Sequence, residues 1–136
     1  LFSAFLKGKD SGEFFGNAPF DIDNFDFCKK FWYELSSDEV HCAKENAKKQ
    51  LDAIFKRAAD YDMIILDEFL DAVSFGCIEK EYALDFIKSI YGKVEVVITG
   101  HQRIDDIFAF ADYITEMKNE KHPFDSGING RCGIEF

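Results

Sequence analysis

The stretch MIILDE, residues 63–68, sets four apolar residues before two adjacent carboxylates, Asp67 and Glu68. That is the pattern of a buried strand delivering two acids to the edge of a sheet. Ligands of open α/β sheets sit beyond the carboxyl ends of the strands, which is where these acids fall. Mg²⁺ takes hard oxygen ligands and keeps water readily, so a strand-end carboxylate suits it. The plainer reading is a strand running into a helix, whose first turn favours acids because of the helix dipole. On these residues alone both readings stand.

A metal–nucleotide site also needs a loop that holds phosphates. The nearest approach to Gly-x-x-x-x-Gly-Lys-Ser/Thr is Gly8-Lys9. There Asp10 follows the lysine where Ser or Thr belongs, and Ser3 stands in place of the first glycine. The stretch also leads into no evident helix. That loop is absent from the chain.

Two other stretches carry chemical potential. Between positions 14 and 33 lie Phe14, Phe15, Phe20, Phe25, Phe27, Phe31, Trp32 and Tyr33. Core packing accounts for Phe20 and for Phe25 or Phe27. Three consecutive aromatics at 31–33 cannot all face one core. They line a ligand pocket or partner surface, or else form a well-packed loop. The second stretch is VVITGH, residues 96–101, a buried strand ending in Thr99-Gly100, where a glycine lets backbone approach a phosphate closely. His101 by itself reads as a surface or cap residue.

The elements that must position these residues follow from periodicity. Leu1–Leu6 is an apolar run ended by Lys7-Gly8, hence a strand and turn. Residues 8–19 are expected to be loop, and residues 20–27 a half-buried strand broken at Asn24. Ser36-x-x-Glu39 is a capping box. Apolar residues after it recur at three- and four-residue steps, which predicts a helix over about 37–59. Met63–Asp67 and Val94–Thr99 read as buried strands of the kind found in parallel sheets covered on both faces. Helices are expected at 69–75, at 79–91 with Gly92 as its stop, and briefly around 104–111. Tyr113–Met117 is expected as a last strand, with an irregular tail after it. Strands alternating with helices predict an α/β domain with a mainly parallel sheet.

Composition narrows the function classes. The 136 residues fit a single domain, 47% hydrophobic and 31% charged. A net charge of −10 argues against nucleic acid or an anionic membrane surface as partner. The longest apolar runs are far too short to span a bilayer. Cys28, Cys42, Cys77 and Cys132 are scattered without a C-x-x-C pair and do not cluster with the three histidines. Free thiols and a cytoplasmic location are the expectation. The opening LFSAFLKG carries no initiator Met and no signal-peptide pattern, and reads as the tail of a strand within a larger protein.

Taken in order, YDMIILDE, VEVVITGH, ADYITEMKNEKHPFDSGI and the closing GIEF resemble the ATP:corrinoid adenosyltransferases of the bacterial cobalamin pathway. That is the group that carries a phosphate-binding loop. The resembling pattern is a strand ending Leu-Asp-Glu, then Val-Ile-Thr-Gly-Arg, then Ala-Asp-x-x-Thr/Ser-Glu-Met/Leu. A Lys-His-Pro/Ala-Phe stretch and a terminal Gly-Ile-Glu/Asp-aromatic follow. Leu6-Lys7-Gly8 with Gly12-Glu13 matches that family's Ile-Lys-Gly…Gly-Glu turn. The resemblance spans the chain and is strongest from residue 61 onward.

The resemblance implies a RecA-like P-loop NTPase fold with helices on both faces of the sheet, incomplete at its N-terminus. Residues 1–136 would then be a single α/β domain, the C-terminal two-thirds of such an enzyme, with the phosphate loop upstream. It implies transfer of the 5′-deoxyadenosyl group of ATP to a cob(I)alamin-type corrinoid, with triphosphate released. Co(I) is itself the nucleophile, so no catalytic protein nucleophile is expected. Asp67 and Glu68 would anchor Mg²⁺ or Mn²⁺, directly or through water. Lys7, Gly8, Thr99, Gly100, His101 and Arg103 would meet ATP. Phe31, Trp32 and Tyr33 would line the corrinoid pocket, in register with a family Phe-x-Trp pair that displaces the lower axial ligand and eases Co(II) reduction. A flavoprotein reductant and a homodimer are implied as partners.

Two departures qualify the match. His101 stands where the family has arginine, which leaves Arg103 as a possible phosphate contact, and Tyr33 replaces the second aromatic, Trp. Two rival readings stay open. A generic RecA-like nucleotide hydrolase accounts for MIILDE but not for the His-Pro-Phe tail. A non-catalytic corrinoid-binding or dimerisation fragment is the other.

Overall fold

Four short parallel strands and the helices packed on them make the body of the chain. The computed structural model describes residues 1–5, 20–24 and 32–129, the side chains of Asn24 and Tyr33 excepted. The strands are β1 (Phe2–Ala4), β2 (Ile22–Asn24), β3 (Met63–Asp67) and β4 (Glu95–Ile98). They lie in the order β2-β1-β3-β4, and every pairing is parallel. The expected α/β class with a parallel sheet is what the chain forms.

Helix α1 (Ser37–Arg57) starts where the capping box places it. The Ser36 amide donates to Glu39 Oε2 at 2.8 Å, and the Glu39 amide donates to Ser36 Oγ at 3.3 Å. Its buried stripe of Ala43, Ala47, Gln50, Leu51 and Ile54 follows the three–four spacing and lies on the sheet. Gln50 fixes the contact: its Nε2 donates to Ser3 Oγ at 2.6 Å and to the Ala4 carbonyl at 3.2 Å. At the far end Arg57 pairs with Asp21 at 3.0 Å and Asp23 at 3.2 Å, tying the outer strand β2 to the helix. A 3₁₀ turn at Ala58–Asp60 leads into β3.

On β3, Ile64 and Leu66 are fully buried beneath the helices. The opposite face carries Phe2, Ile65 and Val97, which stand opposite one another in the ladder. That face is more open than a continuous apolar run suggests: Met63 and Val97 remain 45% and 40% exposed. After β3 come α2 (Phe69–Ser74) and α3 (Lys80–Ile90), both within the core cluster. Gly92, at φ 71°, takes the left-handed conformation just beyond α3, as its position in the sequence suggests. Phe69 packs edge-on against Phe5 with ring centroids 5.4 Å apart, joining α2 to the end of β1. β4 and the short α4 (Asp105–Phe108) follow.

Two expectations fail. Phe20, expected in the core, is 52% exposed, because it precedes the edge strand β2 and no described helix covers it there. Residues 113–117 form no strand; the described segment 111–129 is irregular but for one short turn, and Tyr113 and Met117 are each 93% exposed. Residue types that suit a strand form one only when an edge supplies ladder partners, and this segment pairs with no described strand. That turn is the 3₁₀ turn Pro123–Ser126, capped by His122 Nδ1, which accepts the Phe124 amide at 3.2 Å. Of the strand expected over 20–27, Ile22–Asn24 forms, and residues 25–27 lie outside the described residues. The loop expected at 8–19 also lies outside them.

Candidate functional site

Because all four strands run the same way, their carboxyl ends share one rim. Asp67, the last residue of β3, and Thr99, the residue after β4, meet there. Thr99 Oγ1 donates to Asp67 Oδ1 at 2.7 Å and accepts the Glu68 amide at 3.1 Å. The Thr99 amide donates to the Leu66 carbonyl at 3.1 Å, and its own carbonyl accepts the Leu70 amide at 3.2 Å. One threonine thus fixes both acids of MIILDE and the start of α2.

Glu68 breaks the local rule. Its φ of 59° and ψ of 21° put it in the left-handed region, the only non-glycine there among the described residues. That conformation costs on the order of 1–3 kcal/mol in a residue with a Cβ, and such strain gathers at functional sites. The twist starts α2 at once and turns the Glu68 carboxylate away from the strand. It faces Asp71 and His101 there.

His101 Nδ1 lies 3.4 Å from Glu68 Oε2 and 3.4 Å from Asp71 Oδ2. The His101 amide also donates to Asp71 Oδ2 at 2.7 Å. Asp71 is 4% exposed, whereas the His101 ring is open to solvent. Electrostatics follow from this packing. Burial, then a hydrogen bond shared with Asp71, raises the Glu68 carboxyl above its ordinary range. The charges of Glu68 and then Asp71 raise the His101 imidazole.

Gly100 makes the arrangement possible. A Cβ on it would stand 2.7 Å from Asp71 Oδ2 and 2.7 Å from Leu70 Cβ, and its φ is 154°. Only a residue without a side chain lets the β4 turn come this close to α2.

The sequence-predicted residues divide as follows. Asp67, Glu68, Thr99, Gly100 and His101 come together at the rim. Arg103 lies just beyond, exposed, with Nε donating to Asp105 Oδ1 at 2.7 Å and its guanidinium over the Phe108 ring at 5.1 Å. Trp32 sits in a 3₁₀ turn, Trp32–Glu34, partly buried against the core cluster. Tyr33 shares that turn through its backbone; Lys7, Gly8 and Phe31 lie outside the described residues.

Sequence reasoning missed Asp71. The signal was present: an acid set within FLDAV, a stretch apolar on both sides. Charged residues are almost never fully buried unless paired, so this one needed a partner.

Known proteins match the same stretch of chain. The family model described as ATP:corrinoid adenosyltransferase BtuR/CobO/CobP matches residues 1–136. A corrinoid adenosyltransferase of Pseudomonas aeruginosa is 30% identical over 135 residues, covering 97% of this chain and 66% of that protein. One from Sinorhizobium is 37% identical over 75 residues, covering 54% of this chain and 35% of its own length. One from Salmonella typhimurium is 32% identical over 75 residues, covering 55% and 38%. The chain therefore spans at most 66% of the length of these three relatives.

Proposed function

Because the chain belongs to the ATP:corrinoid adenosyltransferase family, we propose that it serves transfer of the 5′-deoxyadenosyl group of ATP to the cobalt of a cob(I)alamin-type corrinoid, with triphosphate leaving. The observation that carries this reading is the rim of β3 and β4. Two strand-end acids are held there by Thr99 within a match that runs the length of the chain.

The chemistry asks little of protein nucleophiles. Co(I) attacks C5′ of ATP, the C5′–O bond breaks, and the electron pair leaves with the triphosphate. What the protein must do is hold the two reactants in line and compensate charge on the leaving group. Asp67 and Glu68 offer carboxylate oxygens at the strand ends, a donor set that fits Mg²⁺ or Mn²⁺. When bound, that ion would neutralise part of the triphosphate charge. Thr99 would keep Asp67 oriented, and Gly100 would let the phosphate chain approach the backbone. Lys7, Gly8, His101 and Arg103 complete the ATP contacts on this reading. Arg103 must then exchange its Asp105 partner for phosphate.

Phe31, Trp32 and Tyr33 are assigned to the corrinoid, where rings beneath the macrocycle exclude the lower ligand and ease the step from Co(II) to Co(I). A flavoprotein would supply that electron, and a homodimer is the expected assembly. Support comes from Trp32, which is only partly buried against the core and keeps some ring surface for a ligand.

The test is Glu68→Gln in the full chain, assayed for cob(I)alamin conversion with ATP and Mg²⁺ alongside corrinoid binding. Turnover should fall while corrinoid affinity holds. Joint loss of both would mark the acids as structural, and orthophosphate release from ATP without corrinoid would point to a hydrolase instead.

A further inference from the structure

The donors nearest to Glu68 come from α2 and from the turn after β4. His101 Nδ1 stands 3.4 Å from Glu68 Oε2 and 3.4 Å from Asp71 Oδ2, and one donor atom from each residue lies within 4.8 Å of the others. We propose that Glu68, Asp71 and His101 form a binding site for a divalent transition-metal cation, Mn²⁺, Co²⁺ or Zn²⁺. The inference deepens the metal part of the proposed function and rests on Glu68 being a cation ligand there. It does not depend on what the nucleotide is used for.

Geometry gives the first reason. With metal–ligand bonds of about 2.1 Å, tetrahedral donors stand about 3.4 Å apart. Two edges of the triangle already have that length. Small rotations of an exposed imidazole and a half-buried glutamate would close it around an ion.

Preorganisation gives the second. Asp71 is 4% exposed, and its Oδ2 is pinned by the His101 amide at 2.7 Å and crowded by Gly100. A carboxylate oxygen has lone pairs to spare after one amide, so Oδ2 can still ligate. Glu68 is held in its left-handed conformation by Thr99, which aims its carboxylate at the same point. Such support from surrounding groups is what fixes ligand position in metal sites.

Charge gives the third. A buried carboxylate, Asp71, and a half-buried one, Glu68, share one spot, each 3.4 Å from the same His101 nitrogen. A divalent ion would relieve that repulsion more fully than one shared proton.

The nitrogen donor decides the class. Mg²⁺ prefers oxygen ligands and holds its waters, whereas two carboxylates with one imidazole suit transition ions, Zn²⁺ through the nitrogen and Mn²⁺ through the oxygens. The competing state of the same geometry is a protonated His101 lying between the two acids with no ion.

The full chain, stripped with a chelator, should be titrated with Mn²⁺ in the absence of ATP. Free Mn²⁺ is followed by its EPR signal and the bound ion by pulsed EPR for nitrogen coupling. One bound Mn²⁺ per chain with imidazole coupling is expected. The exposed His101→Gln change should abolish the coupling. It should weaken Mn²⁺ by at least the roughly tenfold that even an outer-shell partner costs, while leaving Mg²⁺ affinity alone. Asp71→Asn should weaken Mn²⁺ as well, in protein whose fold is checked by circular dichroism. Bound Mn²⁺ without nitrogen coupling, unaltered affinity in His101→Gln, or no binding at all would overturn the proposal. Loss of adenosyl transfer with the coupling intact would instead count against the proposed reaction.

Discussion

Gly100 and Asp71 are in contact because one of them has no side chain: a Cβ at position 100 would lie 2.7 Å from Oδ2 of Asp71. The aspartate side chain is buried and pinned, so it cannot swing aside at little cost. Gly100→Ala should therefore push the β4 turn off α2, with a loss of about 1–3 kcal/mol from the strained backbone alone. Urea unfolding of the variant measures this. A change below about 0.5 kcal/mol, the range of ordinary surface substitutions, would show that the close approach is relaxed in solution.

Thr99 serves two acids through one hydroxyl. Thr99→Val keeps shape and removes both hydrogen bonds, which should cost about 1–3 kcal/mol. It should also release Asp67 from its orientation. Thr99→Ser should restore stability and ATP-dependent turnover together. If the valine and serine variants behave alike, the hydroxyl has no part in holding the rim.

The linkage to pH has a definite sign. The folded-state value of His101 is raised above 6.5 by Glu68 and Asp71, so its stabilising contribution is complete below 6.5 and fades as pH rises through the folded value. Glu68, raised above 4.5, acts in the same direction at lower pH. With chelator present, wild type should exceed His101→Gln in stability near about pH 6, and the gap should narrow by about pH 9. The imidazole is exposed, so the gap stays under about 1 kcal/mol. A gap that widens with pH contradicts the assignment.

Trp32 is partly buried against the core, so Trp32→Ala should cost stability, up to the roughly 3–5 kcal/mol of a buried ring. Phe31→Ala and Tyr33→Ala should act chiefly on the corrinoid reaction. They should depress conversion that begins from Co(II) far more than conversion supplied with chemically reduced Co(I). Equal loss in both assays, with a large fall in melting temperature, would show that these rings are core.

Much of this was legible in the sequence where one short segment determines its own state. Ser36 and Glu39 announce the start of α1, and the apolar steps after them announce the buried face. The run of Met63–Asp67 gives a strand with its exact bounds. Tyr113–Met117 misled because residue types that suit a strand say nothing about whether a neighbour offers hydrogen bonds. Asp71 stayed hidden for a related reason. Its partner lies 30 residues away and reaches it only because β4 lies beside β3. Nothing local in either stretch encodes that distance.

The ladder between β3 and β4 pairs Ile64 with Val96, Ile65 with Val97 and Leu66 with Ile98. It acts as a vernier for the rim. Residues added or removed in the turn between α3 and β4 are absorbed there and leave that scale unread. One residue lost within 95–98 slides Thr99, Gly100 and His101 by about 3.3 Å and turns them to the opposite face. Length changes near the rim should thus sort into two kinds, tolerated in the turn before β4 and fatal to the site within either strand of this ladder.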